Sequence, residues 1–206
     1  MVLQLHQAFS KESFPGITET VPAYSSLAVF YDPVLIREFS KTSETAFSLV
    51  KDITEKIISE LPGPSRQKNK TEIIVPVYYN GEDLGTVAKI NQLTVEEVIQ
   101  IHTGRIYRVF MIGFQPGFAY MGELDERIRT PRLASPRTIV PAGSIGIAGS
   151  QTGIYPFASP GGWQLIGQTP LKIFDVKKDD PCLFKPGDNV KFISISKTEF
   201  DQRNEY

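Results

Sequence analysis

The sequence predicts an α+β chain of two domains: a small α/β domain over residues 1–62 and a β-barrel domain over residues 63–198 that carries the functional site. Three observations predict it. Residues 2–61 hold two runs of helical period around two short alternating runs. Residues 62–71, PGPSRQKNKT, are polar and lack apolar period, as a linker would. Residues 113–169 then hold most of the chain's 16 glycines, with prolines and aromatic residues spaced between them.

Val2, Leu3, Leu5, Ala8 and Phe9 fall at helical spacing, and Phe14-Pro15-Gly16 stops that run. Residues 18–21 and 26–31 read as strands, the second ended by Asp32-Pro33. Ser43 can cap a helix with Ala46, Phe47, Val50, Ile53, Ile57 and Leu61 on one face. Helix, strand, strand, helix is a ferredoxin-like unit short of its first strand.

Past the linker, residues 72–79 form a β-branched strand, and Pro76 marks it as an edge or a bend. A short helix follows over 83–90. Thr94 and Glu97 make a capping box for a second helix closed by Gly104. Strands are expected at 107–112, 172–176 and 190–195, with a turn at Pro186-Gly187-Asp188 and a fraying tail after Lys197. Between Gly143 and Gly167, glycines interleave with Ile145, Ile147, Tyr155, Trp163 and Leu165. That is the pattern of short strands joined by shaped loops in a small barrel, because a disordered stretch would lack the large apolar residues.

Composition excludes several function classes. With 41% hydrophobic and 22% charged residues the chain is an ordinary globular protein, and no apolar run is long enough to cross a bilayer. The opening residues lack a basic n-region and a long apolar core, so the expected compartment is the cytoplasm. A single cysteine, Cys182, allows no internal disulfide. A net charge of −1 gives no case for nucleic acid, and the local cluster Arg66, Lys68 and Lys70 reads as a solvated linker. The GSIGIAGSQT run has no Lys-Ser/Thr ending and no helix after it, so it is not a P-loop. Two histidines and one cysteine leave no metal-site spacing, and no G-x-S-x-G elbow is present.

The candidate site residues each have two readings. His102, at the end of its helix, is either packed and hydrogen-bonded under the barrel or a proton-transfer group at the mouth of a site. Phe114, Pro116, Phe118 and Tyr120 form either an apolar binding wall or a core strand with a proline bulge. Arg132 and Arg137 flank a rigid loop and suit a carboxylate or phosphate, unless they pair with Glu123, Asp125 or Glu126. Gln151, Thr152 and Tyr155, then Ser159, Gly161 and Gly162 beside Trp163, supply donors for a small amide or an oxyanion, or else simply form turns. Trp163 is expected at or beside the principal cleft.

Three blocks carry a resemblance: GFQPGFAYM, TPRLASPRTIVPAGSIGIAGSQTGIYP and SPGGWQLIGQTPLKIFD. Together they resemble the allophanate hydrolase subunit 1 family, which includes subunits of bacterial 5-oxoprolinase and a sporulation kinase inhibitor. The resemblance implies a cyclophilin-like barrel, and an N-terminal domain that in the family carries one more strand at its start. It implies one subunit of an ATP-dependent amide or lactam hydrolase, with 5-oxoproline to glutamate as the reaction, ATP and magnesium being shared with partner chains. Those partners are a subunit 2 family protein and a lactam-utilisation family subunit. The other function in the family implies a sensor histidine kinase as partner. In the shared cleft His102, Tyr120, Arg137 and Gln151 are expected in catalytic positions, and the remaining candidates against the substrate.

Overall fold

The computed structural model describes residues 1–12, 14–40, 44–63 and 72–203, and the chain divides into two compact units, 1–68 and 69–206. Most of the expected linker, its basic cluster and the expected cap Ser43 lie outside the described residues.

Unit 1 contains α1 (Val2–Lys11), β1 (Ile17–Pro22), β2 (Leu27–Tyr31), α2 (Pro33–Ser40) and α3 (Ala46–Glu60). The two strands pair antiparallel, from Ile17 opposite Tyr31 to Pro22 opposite Leu27. Leu5, Phe9 and Ile57 form one buried cluster and Ile36, Ala46 and Val50 a second, and Ile17 and Val29 of the hairpin pack against both. Helix α2 is additional to the expected elements. Asp32 reads as a strand end in sequence, but its Oδ1 accepts the N–H groups of Val34 and Leu35 at 2.8 and 3.1 Å. Pro33 then fills the first helical position, where a missing N–H costs no hydrogen bond. Thr45 caps α3 by accepting the Ser48 N–H at 3.1 Å.

Unit 2 begins with β3 (Glu72–Val77), α4 (Leu84–Ile90), α5 (Val95–Thr103), β4 (Ile106–Ile112) and β5 (Ala119–Gly122). After a 3₁₀ turn at Glu126–Ile128 come β6 (Arg137–Val140), β7 (Ser144–Ala148), β8 (Gln151–Ile154), β9 (Ser159–Gly161), β10 (Gln164–Gln168), β11 (Asn189–Ser194) and α6 (Lys197–Arg203). The Thr94–Glu97 capping box of α5 is present on both sides, the Glu97 carboxylate accepting the Thr94 N–H at 2.8 Å.

Seven strands form one sheet in the order β10-β7-β8-β5-β4-β11-β3. All neighbours are antiparallel except β11 and β3, which run parallel. Beyond β3, Tyr78 exchanges backbone hydrogen bonds of 2.9 Å with Gln168 at the end of β10. The two ends of the strand order thereby meet, and the sheet is a nearly closed barrel. Val75, Val77, Val109, Met121, Ile145, Ile147, Ile154, Ile166 and Phe192 fill its interior, with Val87 of α4 and Val98 of α5 against them. The residues between them in sequence face outward, as the period of two requires.

Two local expectations are corrected. Residues 172–176 are not a strand: Asp175 turns the chain, its carboxylate accepting the Lys177 N–H and its carbonyl the Lys178 N–H, each at 3.1 Å. The tail after Lys197 is α6. Ser196 and Glu199 form its reciprocal cap, at 2.8 and 3.2 Å, and Phe200 is buried beside Tyr78. Among the described residues no helix is long and apolar enough to cross a membrane.

Candidate functional site

The site grows from two glycines. Gly146 on β7 and Gly153 on β8 lie opposite each other in register, and both face the outside of the barrel. A Cβ on Gly146 would stand 3.0 Å from the Trp163 Cβ. One on Gly153 would stand 3.1 Å from the indole and 3.2 Å from the Phe118 ring. With no side chains in the way, both rings lie directly on the sheet backbone. Phe118 then organises the others edge to face: Trp163 at 5.5 Å, Tyr155 at 5.2 Å and Phe114 at 5.5 Å, with Tyr120 tilted at 4.7 Å.

A two-stranded ribbon makes the facing wall. Strands β6 and β9 pair with Arg137 opposite Gly161, which brings Pro136, Pro160, Gly161 and Gly162 to the cleft. Gly161 is obligatory there, since a Cβ would come within 2.5 Å of the Tyr155 hydroxyl. Phe114 holds the rim at φ +70°, uncommon for an aromatic residue, in a loop closed by the Gly113 N–H to the Phe118 carbonyl at 3.1 Å. The resulting cleft has a volume of about 280 Å³.

One lining side chain is charged. The Arg132 guanidinium lies 5.7 Å from the centre of the Trp163 ring, and among the described residues no carboxylate pairs with it. Burial raises the Tyr120 and Tyr155 pKa values, so both hydroxyls are neutral donors near neutral pH. The cleft therefore combines apolar ring faces, two hydroxyls and a single positive charge.

Of the residues singled out from sequence, Phe114, Phe118, Tyr120, Arg132, Tyr155, Gly161, Gly162 and Trp163 line this cleft. Pro116 is exposed, Gln151 is half-buried and Ser159 is buried in β9; none of the three is among the lining residues. Pro136 and Pro160 line it without having been singled out; their signal is adjacency to Arg137 and to the glycine pair.

His102 is placed elsewhere. It is wholly buried under the barrel and stacked on Phe192 at 4.6 Å. Its Nδ1 meets the Tyr79 hydroxyl at 2.7 Å and its Nε2 the Thr152 hydroxyl at 3.1 Å. Thr152 donates its only hydrogen to the Gly146 carbonyl, so Nε2 carries the ring proton and Nδ1 accepts from Tyr79. Burial pushes the His102 pKa down to about 3. A neutral imidazole with both nitrogens engaged ties α5 to β8 and does not reach the cleft, and Thr152 belongs to the same buried chain.

Arg137 is also internal. Its Nη2 donates to both Asp83 oxygens at 2.6 and 2.7 Å, its Nη1 donates to the Trp163 carbonyl at 3.2 Å, and its Nε pairs with Glu82. The acidic partners expected from sequence are different: Asp125 instead holds Arg105 and Arg127 and titrates at about 2. Asp83 goes on to accept the Leu165 N–H at 2.6 Å. This clamp holds the Trp163 carbonyl and the start of β10, the two points between which the indole is anchored.

Gly153→Ala tests the glycine floor. The added methyl must displace the two rings or the Ala119 carbonyl at 2.9 Å, which is expected to cost about 1–3 kcal/mol and to shift the emission of the chain's one tryptophan. An unshifted spectrum and an unchanged urea midpoint would show that the rings do not rest on this backbone.

The family model described as carboxyltransferase domain, subdomain C and D, matches residues 1–184. The chain is 46% identical over 194 residues to the B subunit of 5-oxoprolinase from Bacillus subtilis (strain 168), covering 92% of this chain and 80% of that protein. It is 52% identical over 183 residues to the protein of the same name from Escherichia coli O157:H7, covering 87% and 78%. Among solved structures, PH0987 from Pyrococcus horikoshii superposes with a TM-score of 0.61 at 46% identity, covering 97% of this chain and 88% of that one. TTHA0988 superposes with a TM-score of 0.80 at 35% identity over 95% of this chain, which spans only 36% of that longer chain.

Proposed function

Because the chain belongs to the allophanate hydrolase subunit 1 family, the group of the 5-oxoprolinase B subunits, we propose that it is one subunit of an ATP-dependent amide hydrolase. Its reaction is the opening of 5-oxoproline to glutamate. The observation that carries the assignment is what the cleft contains and what it lacks. It offers ring faces, hydroxyl donors and one guanidinium, and among its lining residues there is no carboxylate, histidine or thiol. A site of that composition can hold and orient a small ligand but has no base to activate water at a lactam carbonyl. Such a chain contributes binding and leaves the remaining chemistry to partners.

The cleft does not fit a magnesium nucleotide. No lining side chain is an oxygen-rich metal ligand, and the GSIGIAGSQT run lies in the paired strands β7 and β8 instead of forming a phosphate-binding loop. We therefore assign ATP binding to the partners, a subunit 2 family protein and a lactam-utilisation family subunit. The barrel is read as cyclophilin-like, in line with its near closure at Tyr78 and Gln168.

The test is co-purification with both partners, followed by an ATP-dependent 5-oxoprolinase assay. Activity is expected only from the assembled complex, and it should fall at least tenfold in Phe118→Ala, whose ring organises the cleft. An assembled complex that leaves 5-oxoproline untouched removes the proposal.

A further inference from the structure

Arg132 and Arg137 flank one short loop and look equivalent in sequence, yet the structure sorts them into opposite roles. Arg137 is spent on Glu82, Asp83 and the Trp163 carbonyl. Arg132 has no carboxylate partner among the described residues, and the backbone on both sides of it is tied down. Gln164 donates to the Pro131 carbonyl at 2.9 Å, and the Leu133 N–H donates to the Gly162 carbonyl at 2.8 Å. An unneutralised guanidinium thus lies over the indole face on a fixed loop, and little backbone ordering remains to be done when an anion arrives.

What lies beside that charge limits the ligand. The walls are Phe118, Tyr155 and Trp163, the Tyr120 hydroxyl stands among them, and the volume of about 280 Å³ is below the usual range of roughly 300–1,000 Å³ for drug-sized ligands. Flat ring faces favour a flat apolar body, while the single positive charge favours one negative charge. No second cation stands among the lining residues to match a polyanion.

We propose, building on the functional reading above, that this cleft binds a small ring carboxylate on the isolated chain, before any partner or nucleotide is engaged. Arg132 takes the carboxylate, the aromatic faces take the ring, and the tyrosine hydroxyls serve its polar edge. The chain's contribution to the complex is then to select and present the substrate.

Trp163 is the chain's one tryptophan and lies in the cleft wall, so its fluorescence reports occupancy directly. The probes are 5-oxoproline, 2-pyrrolidone (the same ring without the carboxylate), acetate and inorganic phosphate. 5-Oxoproline is expected to change the emission saturably, with 2-pyrrolidone and acetate each at least about tenfold weaker, the effect of losing one charge-assisted hydrogen bond or the ring contact. Arg132→Gln should erase the preference for the acid over 2-pyrrolidone without moving the thermal midpoint, and Arg132→Lys should restore part of it. Phosphate competing as well as 5-oxoproline, or Arg132→Gln binding it unchanged, overturns the proposal, as does the absence of both a fluorescence change and calorimetric heat. The two readings fail separately. An active complex whose KM for 5-oxoproline is unchanged by Arg132→Gln removes this inference alone. An inactive complex built from a chain that binds the acid through Arg132 removes the enzymatic reading alone.

Discussion

Arg137→Gln is expected to destabilise the barrel unit by about 3 kcal/mol, because it leaves a nearly buried carboxylate without its cation. The Asp83 side chain is 10% exposed and that of Arg137 20%. After substitution Asp83 would keep the Leu165 N–H and lose both short guanidinium contacts. The Trp163 carbonyl would lose its donor in the same step. The measurement is urea unfolding followed by Trp163 emission, in Arg137→Gln, Asp83→Asn and the double variant. The double variant should cost clearly less than the sum of the two, since removing both charges leaves neither stranded. A loss below about 0.5 kcal/mol in Arg137→Gln, the level of an ordinary surface change, would show that the clamp does not hold the strand. Arg137 thus acts on the cleft through the Trp163 backbone and the start of β10 next to it, as a positioning residue. In the assembled enzyme its variant should weaken substrate binding together with a shifted Trp163 spectrum.

The parts of this architecture that are legible in sequence are those written locally. Thr94 and Glu97 announce α5 three residues apart, and their reciprocal bonds are present. The glycine and aromatic stretch announces a site because Gly146, Gly153 and Gly161 must be bare for Trp163, Phe118 and Tyr155 to pack. Two helices escape the sequence reading although their signals are local. Asp32-Pro33 starts α2 and Ser196 with Glu199 starts α6, yet the first reads as a strand end, since the same residue types terminate strands and initiate helices, and the second as part of a polar, fraying tail. What is not legible is pairing across the fold. Arg137 finds Asp83, 54 positions away, while the nearer Asp125 goes to Arg105 and Arg127. His102 and Thr152, 50 positions apart, meet inside the barrel. Sequence pattern identifies an arginine or histidine able to do chemistry, and only the topology decides which of them is already occupied.

Acid should destabilise the barrel through His102, beginning at a pH above the range in which carboxylates titrate. In the folded chain its pKa is about 3, lowered by burial, against an ordinary value of 6.5. Above pH 6.5 both folded and unfolded chains hold it neutral, and it contributes no pH dependence. Below that value the unfolded chain takes up a proton that the folded chain refuses. The penalty grows as pH falls and levels off near pH 3, with a slope of up to about 1.4 kcal/mol per pH unit. The lowered Glu97 and Glu199 begin to lose their folded-state advantage only below their ordinary value of 4.5, and Asp125, at about 2, and the lowered Asp175 only below 3.8, so the range from pH 6.5 to 5 belongs to histidine. His6 is also lowered by burial but lies in unit 1, so His6→Gln serves as the control. The barrel transition, read through Trp163, should lose stability between pH 6.5 and 5 in the wild type and in His6→Gln. In His102→Gln it should be weaker at pH 7 and nearly flat over that range. An equally steep loss in His102→Gln assigns the acid sensitivity to other groups. The same titration decides the histidine's role in binding: since His102 does not reach the cleft, 5-oxoproline affinity should be level from pH 6 to 8 wherever the protein is folded. A transition near pH 6.5 that disappears in His102→Gln would return it to the site as a proton-transfer group.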